Sequence, residues 1–365
     1  MLTEAALRPF EPPISTSNLV RPDRERFLRY ARMAYDGENV TALLERRLTL
    51  LHRAAHCITV CNGFWGLVFA ITALALPGRT DILMPSLTYR RMADVAAWAR
   101  LRPRFCEVDT ATLACTGATM RAALSPDVGL LLAVHPIVNQ CDVEGLVALS
   151  NETGIPLLFD SVESVFEHAG AGKIGGFGHA ECFSLHASKL LNGFEGGYVT
   201  TNDAALADRL TGLRDGSAYD GMDARLSRLH AAMTLASLDD LDDQVRRNRQ
   251  RYETYRRLLR DLRGLRLLEF DAASPTSYKT IVVELTEEWP LTRGETLARL
   301  NGANVLARAY YHPPLHRKQM AYPHVPATLP VTDRLAERFM LLPCGHHVSD
   351  ADIEAVVRML AQISA

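Results

Sequence analysis

SLHASKLLNGFEGGYVTTND, from Ser184 to Asp203, sets a single lysine between an apolar run and a turn rich in glycine. The run before it, Ala180 to Leu185, reads as a buried strand, and GYVTTN reads as a second strand after a glycine-containing loop. A lysine at the end of a buried strand is salt-bridged, turned outward or chemically employed. Upstream, IPLLFDS ends another apolar strand on Asp160, a carboxylate that burial obliges to find a cation or several donors. An ion pair between Asp160 and Lys189, or an Asp160 that caps the next turn, satisfies that need without any chemistry. Pyridoxal 5′-phosphate (PLP) chemistry needs the same two groups: an amine to bind the aldehyde and a carboxylate to keep the pyridine nitrogen protonated.

Working outward, CITVCNG, DILMPS, PRFCEVD, VGLLLAVHP and IPLLFDS are short apolar runs, most of them separated by helical patterns. Runs apolar at nearly every position suit strands covered on both faces, so the expected fold is α/β with a mostly parallel sheet between helices. Ligands of such sheets bind beyond the carboxyl ends of the strands. Asn62-Gly63, Pro85 to Tyr89, His135 and Asp160 all fall there. Gly63 opens the helical pattern GFWGLVFAITAL, whose N-terminus can receive a phosphate. Ser184 can add a hydroxyl and Tyr89 can stack on a ring, though a turn glycine, a core hydroxyl and a packing aromatic are the plainer readings.

A long helix is expected from about Ser227 through RRNRQRYETYRRLLRDL, with a solvated charged face. After Gly264, TIVVEL, VLARAY and a last helix from about Asp350 read as a small α+β domain. The expected division is a large cofactor domain, 1–240, and a linking helix with a small C-terminal domain, 241–365.

The chain has 365 residues, 48% of them hydrophobic and 22% charged, and a net charge of −2. That balance is globular and gives no sign of a nucleic-acid or membrane-surface partner. The longest apolar candidate, Gly63 to Leu76, is too short to span a bilayer. MLTEAALRPFEPP lacks the pattern of a signal peptide, and seven cysteines show no disulfide rhythm, so the cytoplasm is the expected compartment. The spacings of Cys57, Cys61 and Cys344 make no zinc set, and these thiols read as buried small hydrophobes.

PSLTY, the stretch FDSVESVFEHAGAGKIGGFGHAECFSLHASKLLNGFEGGYVTTND, and the Pro-Pro-Leu-His segment near His316 resemble the DegT/StrS sugar aminotransferases, PLP enzymes of fold type I. The resemblance runs from about Leu43 to the end and is most specific from Asp160 to Asp203. It implies Lys189 as the Schiff-base lysine and Asp160 as the partner of the pyridine nitrogen. It implies Ser184 at the phosphate, Tyr89 against the ring, and Gly63 and Phe64 where the family uses a Gly-Thr pair. Three cofactor positions depart from the family pattern. Phe64 replaces the threonine, Glu163 stands where glutamine or histidine approaches the phenolic oxygen, and Asp223 stands where an asparagine reaches the phosphate across a dimer. An anion at Glu163 repels the phenolate unless it is protonated or turned away, and Asp223 repels the phosphate unless Arg225 or a helix compensates. DGENVTALLE occupies the place of a Thr-Asn segment near the substrate.

On the substrate side the resemblance implies that YYHPPLHR, Tyr310 to Arg317, closes over the site. His186, Arg308, Tyr311, His312 and His316 are the candidate substrate contacts; a proline-rich surface loop is the plain alternative. Asn139 and Gln140 are candidate contacts near the cofactor, and Arg90 and Arg91 are either an anion attractor or surface charge. The implied activity is transfer of the amino group of glutamate to a keto group of a nucleotide-linked deoxysugar in antibiotic or surface-glycan synthesis, by a homodimer with shared sites. A PLP enzyme acting on a non-sugar ketone, or by another reaction, is the first rival. A non-catalytic regulator on the same fold is the second.

Overall fold

The computed structural model describes residues 13–15, 21–170, 172–217 and 221–364. All seven expected strands of the large sheet form: β1 (His56–Val60), β2 (Asp81–Pro85), β3 (Arg102–Cys106), β4 (Val128–Val134), β5 (Leu157–Asp160), β6 (Ala180–Ser184) and β7 (Gly197–Thr201). They lie side by side in the order β1-β7-β6-β5-β4-β2-β3. Only β7 runs against the others. The carboxyl ends of the other six strands therefore share one edge, and the segments after them converge there. Strand β4 is buried at every position, as a strand covered on both faces must be.

Two apolar layers cover the sheet. On one side α3 (Gly63–Leu74) packs Leu67, Phe69 and Ile71 against Ile82, Leu130 and Leu158. On the other, α2 (Val40–His52) and α8 (Arg228–Asp239) enclose Leu131, Phe159 and Phe183. Asp203 and Ser227 cap α7 (Ala204–Arg214) and α8 by accepting from free N–H groups of their first turns.

The single long helix expected from Ser227 is two helices, α8 and α9 (Leu241–Leu259), broken at Asp240. The break has an electrostatic reason. Asp239 accepts from Arg29, Tyr30 and Arg47, at 2.6 to 2.9 Å, and Asp240 accepts from the Asp23 N–H at 2.7 Å and pairs with Arg26. Turning both carboxylates toward α1 (Arg24–Tyr35) and α2 costs a bend in the helix.

Beyond α9 a second sheet holds β8 (Leu265–Leu267), β9 (Ile281–Leu285), β10 (Arg308–Ala309) and β11 (Phe339–Leu342), all antiparallel, in the order β8-β9-β11-β10. Ile14–Ser15 pairs with Val305–Leu306, so this early segment joins the C-terminal part of the chain. Leu87, Val108 and Val138 share a core with Tyr255, Val282 and Leu341, so the two sheets are fused through apolar packing.

Replacing Asp239 with alanine removes three donors' shared acceptor. Of those partners the Arg29 side chain is 58% exposed and that of Arg47 32%, so the loss is about 1–2 kcal/mol, read as a lower urea midpoint with unchanged slope.

Candidate active site

At the shared edge, Asn62 caps α3 by accepting from the Trp65 N–H at 3.0 Å. The N–H groups of Gly63 and Phe64 then point out of the helix start with no acceptor among the described residues. A Cβ on Gly63 would lie 3.2 Å from the Phe183 carbonyl and 3.3 Å from Ser184 Cβ, so the helix start and the end of β6 meet here. The glycine pair after Glu195 is required as well, Gly196 by its backbone conformation and Gly197 by the same junction. Gly196 has φ +144, and a Cβ on Gly197 would fall 2.5 Å from the Gly63 nitrogen.

Asp160 is 2% exposed and accepts from the Val162 N–H at 3.2 Å. Among the described residues no cation pairs with it. Burial pushes its carboxyl up to about 7, against the opposing pull of the Val162 N–H and the Lys189 charge.

Lys189 does not end the strand, as its sequence position implied. Strand β6 stops at Ser184, and Lys189 sits on the following turn, its N–H bonded to the His186 carbonyl at 2.8 Å. The turn folds its amine back to the carboxylate of Glu163, which it contacts. The other Glu163 oxygen accepts from Lys279 at 2.7 Å. Burial alone would raise this carboxyl, but the two ammonium groups, Lys189 foremost, hold it down at about 2. Glu163 is therefore an anion, as the sequence allowed only if it were turned away, and a second lysine neutralises it. Lys279 went unnoticed in the sequence because it lies far along the chain before an ordinary strand, with no motif around it.

Glu163 is delivered by a loop pinned to a further buried carboxylate. Glu181 accepts from Ser161 Oγ at 2.6 Å and from the N–H groups of Gly175 and Phe177 at 2.7 and 2.8 Å. Burial pushes Glu181 up to about 7. His135 stacks on Phe159 with ring centroids 5.2 Å apart, and burial lowers it to about 3, so it is neutral.

The other expected residues divide. Tyr89 is half exposed at the mouth of the edge. Phe64 lies under the Arg91 guanidinium, 4.6 Å from ring to carbon, so Arg91 does more than decorate the surface. Tyr311 lies within electrostatic reach of Glu163 and Asp160. Burial raises its hydroxyl well above the usual range, and the charges of Glu163 and Asp160 add to that. Arg308 is exposed and its charge reaches Tyr311. His312 is partly exposed and faces Glu337 at 3.3 Å.

The remaining readings change in position or gain a partner. His316, expected at the substrate, has a side chain only 1% exposed; its Nδ1 meets Ser86 Oγ at 2.7 Å and its Nε2 faces Asp333 at 3.1 Å. Its N–H also reaches Ser86 Oγ, so the segment is latched to the loop after β2. His186 points outward to Ser188 and Glu195. Asn139 spends its amide on the backbone of Glu269 and Asp271, and Gln140 makes no hydrogen bond among the described residues. Asp223 is exposed and pairs with Arg225 at 2.9 and 3.0 Å, which supplies the compensating charge. The Thr-Asn replacement segment opens α2, with Asn39 as its cap.

An amine, a buried carboxylate that lacks a cation, and a helix start with two free N–H groups make one donor set. It fits PLP: the pyridinium N–H answers Asp160, the phosphate answers the start of α3, and the aldehyde answers Lys189. Fold and site together define a fold-type I PLP-dependent aminotransferase. The chain belongs to the DegT/DnrJ/EryC1/StrS aminotransferase family, which it matches over residues 24–361. It is 25% identical over 325 residues to the UDP-N-acetyl-3-dehydro-alpha-D-glucosamine 3-aminotransferase of Acidithiobacillus ferrooxidans, covering 87% of this chain and 86% of that one. It is 30% identical over 200 residues to the L-glutamine:2-deoxy-scyllo-inosose aminotransferase of Streptomyces kanamyceticus, covering 53% of this chain and 47% of the relative. Among solved structures it is similar to DesI, crystallised in the presence of its TDP-sugar product: TM-score 0.91, 30% identity, 98% of this chain and 94% of that chain.

The raised Asp160 carboxyl has a measurable consequence in cofactor-free protein. A folded value near 7 against an ordinary 3.8 means the folded state holds the extra proton, so Asp160 costs stability as pH rises between those values. Asp160→Asn should therefore gain stability over the wild type through that window and level off above it, while losing transamination. Chemical denaturation from pH 4 to 9 checks this.

Proposed function

We propose that the enzyme moves the amino group of glutamate to a keto group of a nucleotide-linked 6-deoxyhexose. The observation that carries this is the likeness to DesI over 98% of the chain, together with the amine, carboxylate and helix start converging at one sheet edge. Bound PLP supplies an electron sink for the substrate carbon. Asp160 holds the proton on the pyridine nitrogen that makes the sink effective. Lys189 Nζ binds the cofactor between turnovers and, once displaced by substrate, moves the proton at the carbon that carries the amino group. The N–H groups of Gly63 and Phe64, with Ser184, take the phosphate, and Tyr89 covers the ring. Arg91, stacked on Phe64 and paired with Asp94 at 3.2 Å, lies beside the position where the side chain of residue 64 brings no hydroxyl.

Tyr311, His312 and Arg308 are the substrate-side groups that remain open to a sugar or its diphosphate. The latch between His316 and Ser86 holds their segment over the edge. A homodimer completes this reading. Phe194, Met222 and Leu229 are exposed apolar side chains near the cofactor turn and Asp223, where a second subunit would cover them. The seven cysteines are free thiols, which supports a cytoplasmic enzyme.

The test is product formation from glutamate and a panel of nucleoside-diphosphate 4-keto- and 3-keto-6-deoxyhexoses, with 2-oxoglutarate release as the coupled readout. Lys189→Ala should lower turnover by about 10³-fold or more. The half-length likeness to the inosose aminotransferases favours one second reading, a keto-cyclitol acceptor with glutamine as donor. Amination of 2-deoxy-scyllo-inosose without activity on any keto sugar would select it. Light scattering should give twice the chain mass, and an active monomer would remove the shared-site arrangement.

A further inference from the structure

Lys279 is a buried lysine that the expected chemistry does not use. Its side chain is 8% exposed, and Glu163 is the acidic group on its ammonium among the described residues. A lone buried ammonium is costly, and burial does lower its proton affinity, with Glu163 opposing. Its backbone is fixed from three sides. Ser277 donates through N–H and Oγ to Glu167 at 3.0 and 2.9 Å, the Ser277 carbonyl accepts from Asn248 at 3.1 Å, and the Lys279 carbonyl accepts from Cys344 at 2.9 Å. Tyr278, between them, holds φ +48, in the left-handed region. A segment so firmly placed delivers one charge to one point.

That point is the far oxygen of the carboxylate whose near oxygen touches Lys189 Nζ. Three groups thus form a line: ammonium, carboxylate, amine of the cofactor lysine. With the cofactor bound, the Lys189 nitrogen would still carry a proton, and Glu163 is the carboxylate placed to accept from it. The other groups facing this line are Asp160, Tyr310 and Tyr311 around Glu163, and Cys344 near Lys279, with Arg308 reaching Tyr311 and Cys344. Tyr310, Tyr311 and Cys344 are held neutral by burial, so Lys279 is the fixed cation that balances Glu163.

We propose that Lys279 is a positioning residue that acts through Glu163: it anchors the carboxylate against the nitrogen linking Lys189 to the cofactor and sets how tightly that nitrogen holds its proton. Glu163 favours the proton and Lys279 moderates the effect, so the pair delivers an oriented acceptor with little net charge. The inference rests on Lys189 carrying PLP and holds whatever the amino acceptor, because its test adds no substrate.

The experiment is a pH titration of the visible absorption of PLP-loaded protein, for wild type, Glu163→Gln, Lys279→Gln, Lys279→Arg and the double variant Glu163→Gln/Lys279→Gln. Glu163→Gln removes the anion beside the linkage, and its midpoint should fall by about one pH unit or more. Lys279→Gln leaves an unpaired anion, and its midpoint should rise by about as much. The double variant should stay within about half a unit of Glu163→Gln, because Lys279 then has no carboxylate to act through, a non-additivity that a merely structural residue would not produce. Lys279→Arg keeps the charge and should keep the midpoint. Thermal melts of the cofactor-free variants separate misfolding from the effect; the neutral double variant keeps the test alive if one single variant unfolds. A Lys279→Gln midpoint equal to wild type, or strictly additive shifts in the double variant, would overturn the proposal.

Discussion

Glu163 accepts from Lys189 with one oxygen and from Lys279 with the other, and the geometry of the site depends on that bridge. A carboxylate buried to this extent stays ionised only where cations repay its lost hydration. Here two do, one from the turn after β6 and one from the segment entering β9. The bridge therefore ties the cofactor loop of the large sheet to the second sheet. Glu167, four residues on, repeats the tie through Ser277. Charge and domain contact are settled by the same few side chains.

Behind the bridge lies a second use of buried acid. Asp160 and Glu181 are both pushed toward neutrality by burial, but they differ in what answers them. Glu181 has three donors from the loop that carries Glu163, so it serves as an internal anchor. Among the described residues Asp160 has one backbone donor and no cation, which leaves acceptor capacity at the sheet edge. Satisfied polar groups hold the scaffold, and the unsatisfied one marks where a ligand binds.

The edge exists because six strands run the same way and β7 alone is reversed. Reversal brings Gly197 against the start of α3, at a distance only glycine tolerates. The free N–H groups that open α3 and the end of β6 are held together by that contact. The small-sheet side closes the arrangement through His316, whose buried ring is latched to Ser86.

Much of this was legible in the chain itself. Apolar runs ending in Asn62, Pro85, His135, Asp160 and Ser184 were enough for a parallel α/β sheet with a site on one edge, because hydrophobic pattern and strand polarity are local properties. Asp160 and Lys189 were legible for the same reason, each standing out against an apolar background. Three things were not: the break at Asp240, the buried role of His316, and Lys279. Each depends on a partner that only folding brings close, in most cases far away in sequence. Asp239 and Asp240 look like ordinary helix-surface charge until α1 is packed against them. Lys279 looks like a solvated lysine until β9 carries it under Glu163, 116 residues away in sequence. By itself the sequence determined the class of fold, the edge, and the two residues, Asp160 and Lys189, proposed to carry the chemistry. Tertiary structure alone decided the charge state of the site, because the ionisation of a buried group is set by whichever charges the fold puts beside it.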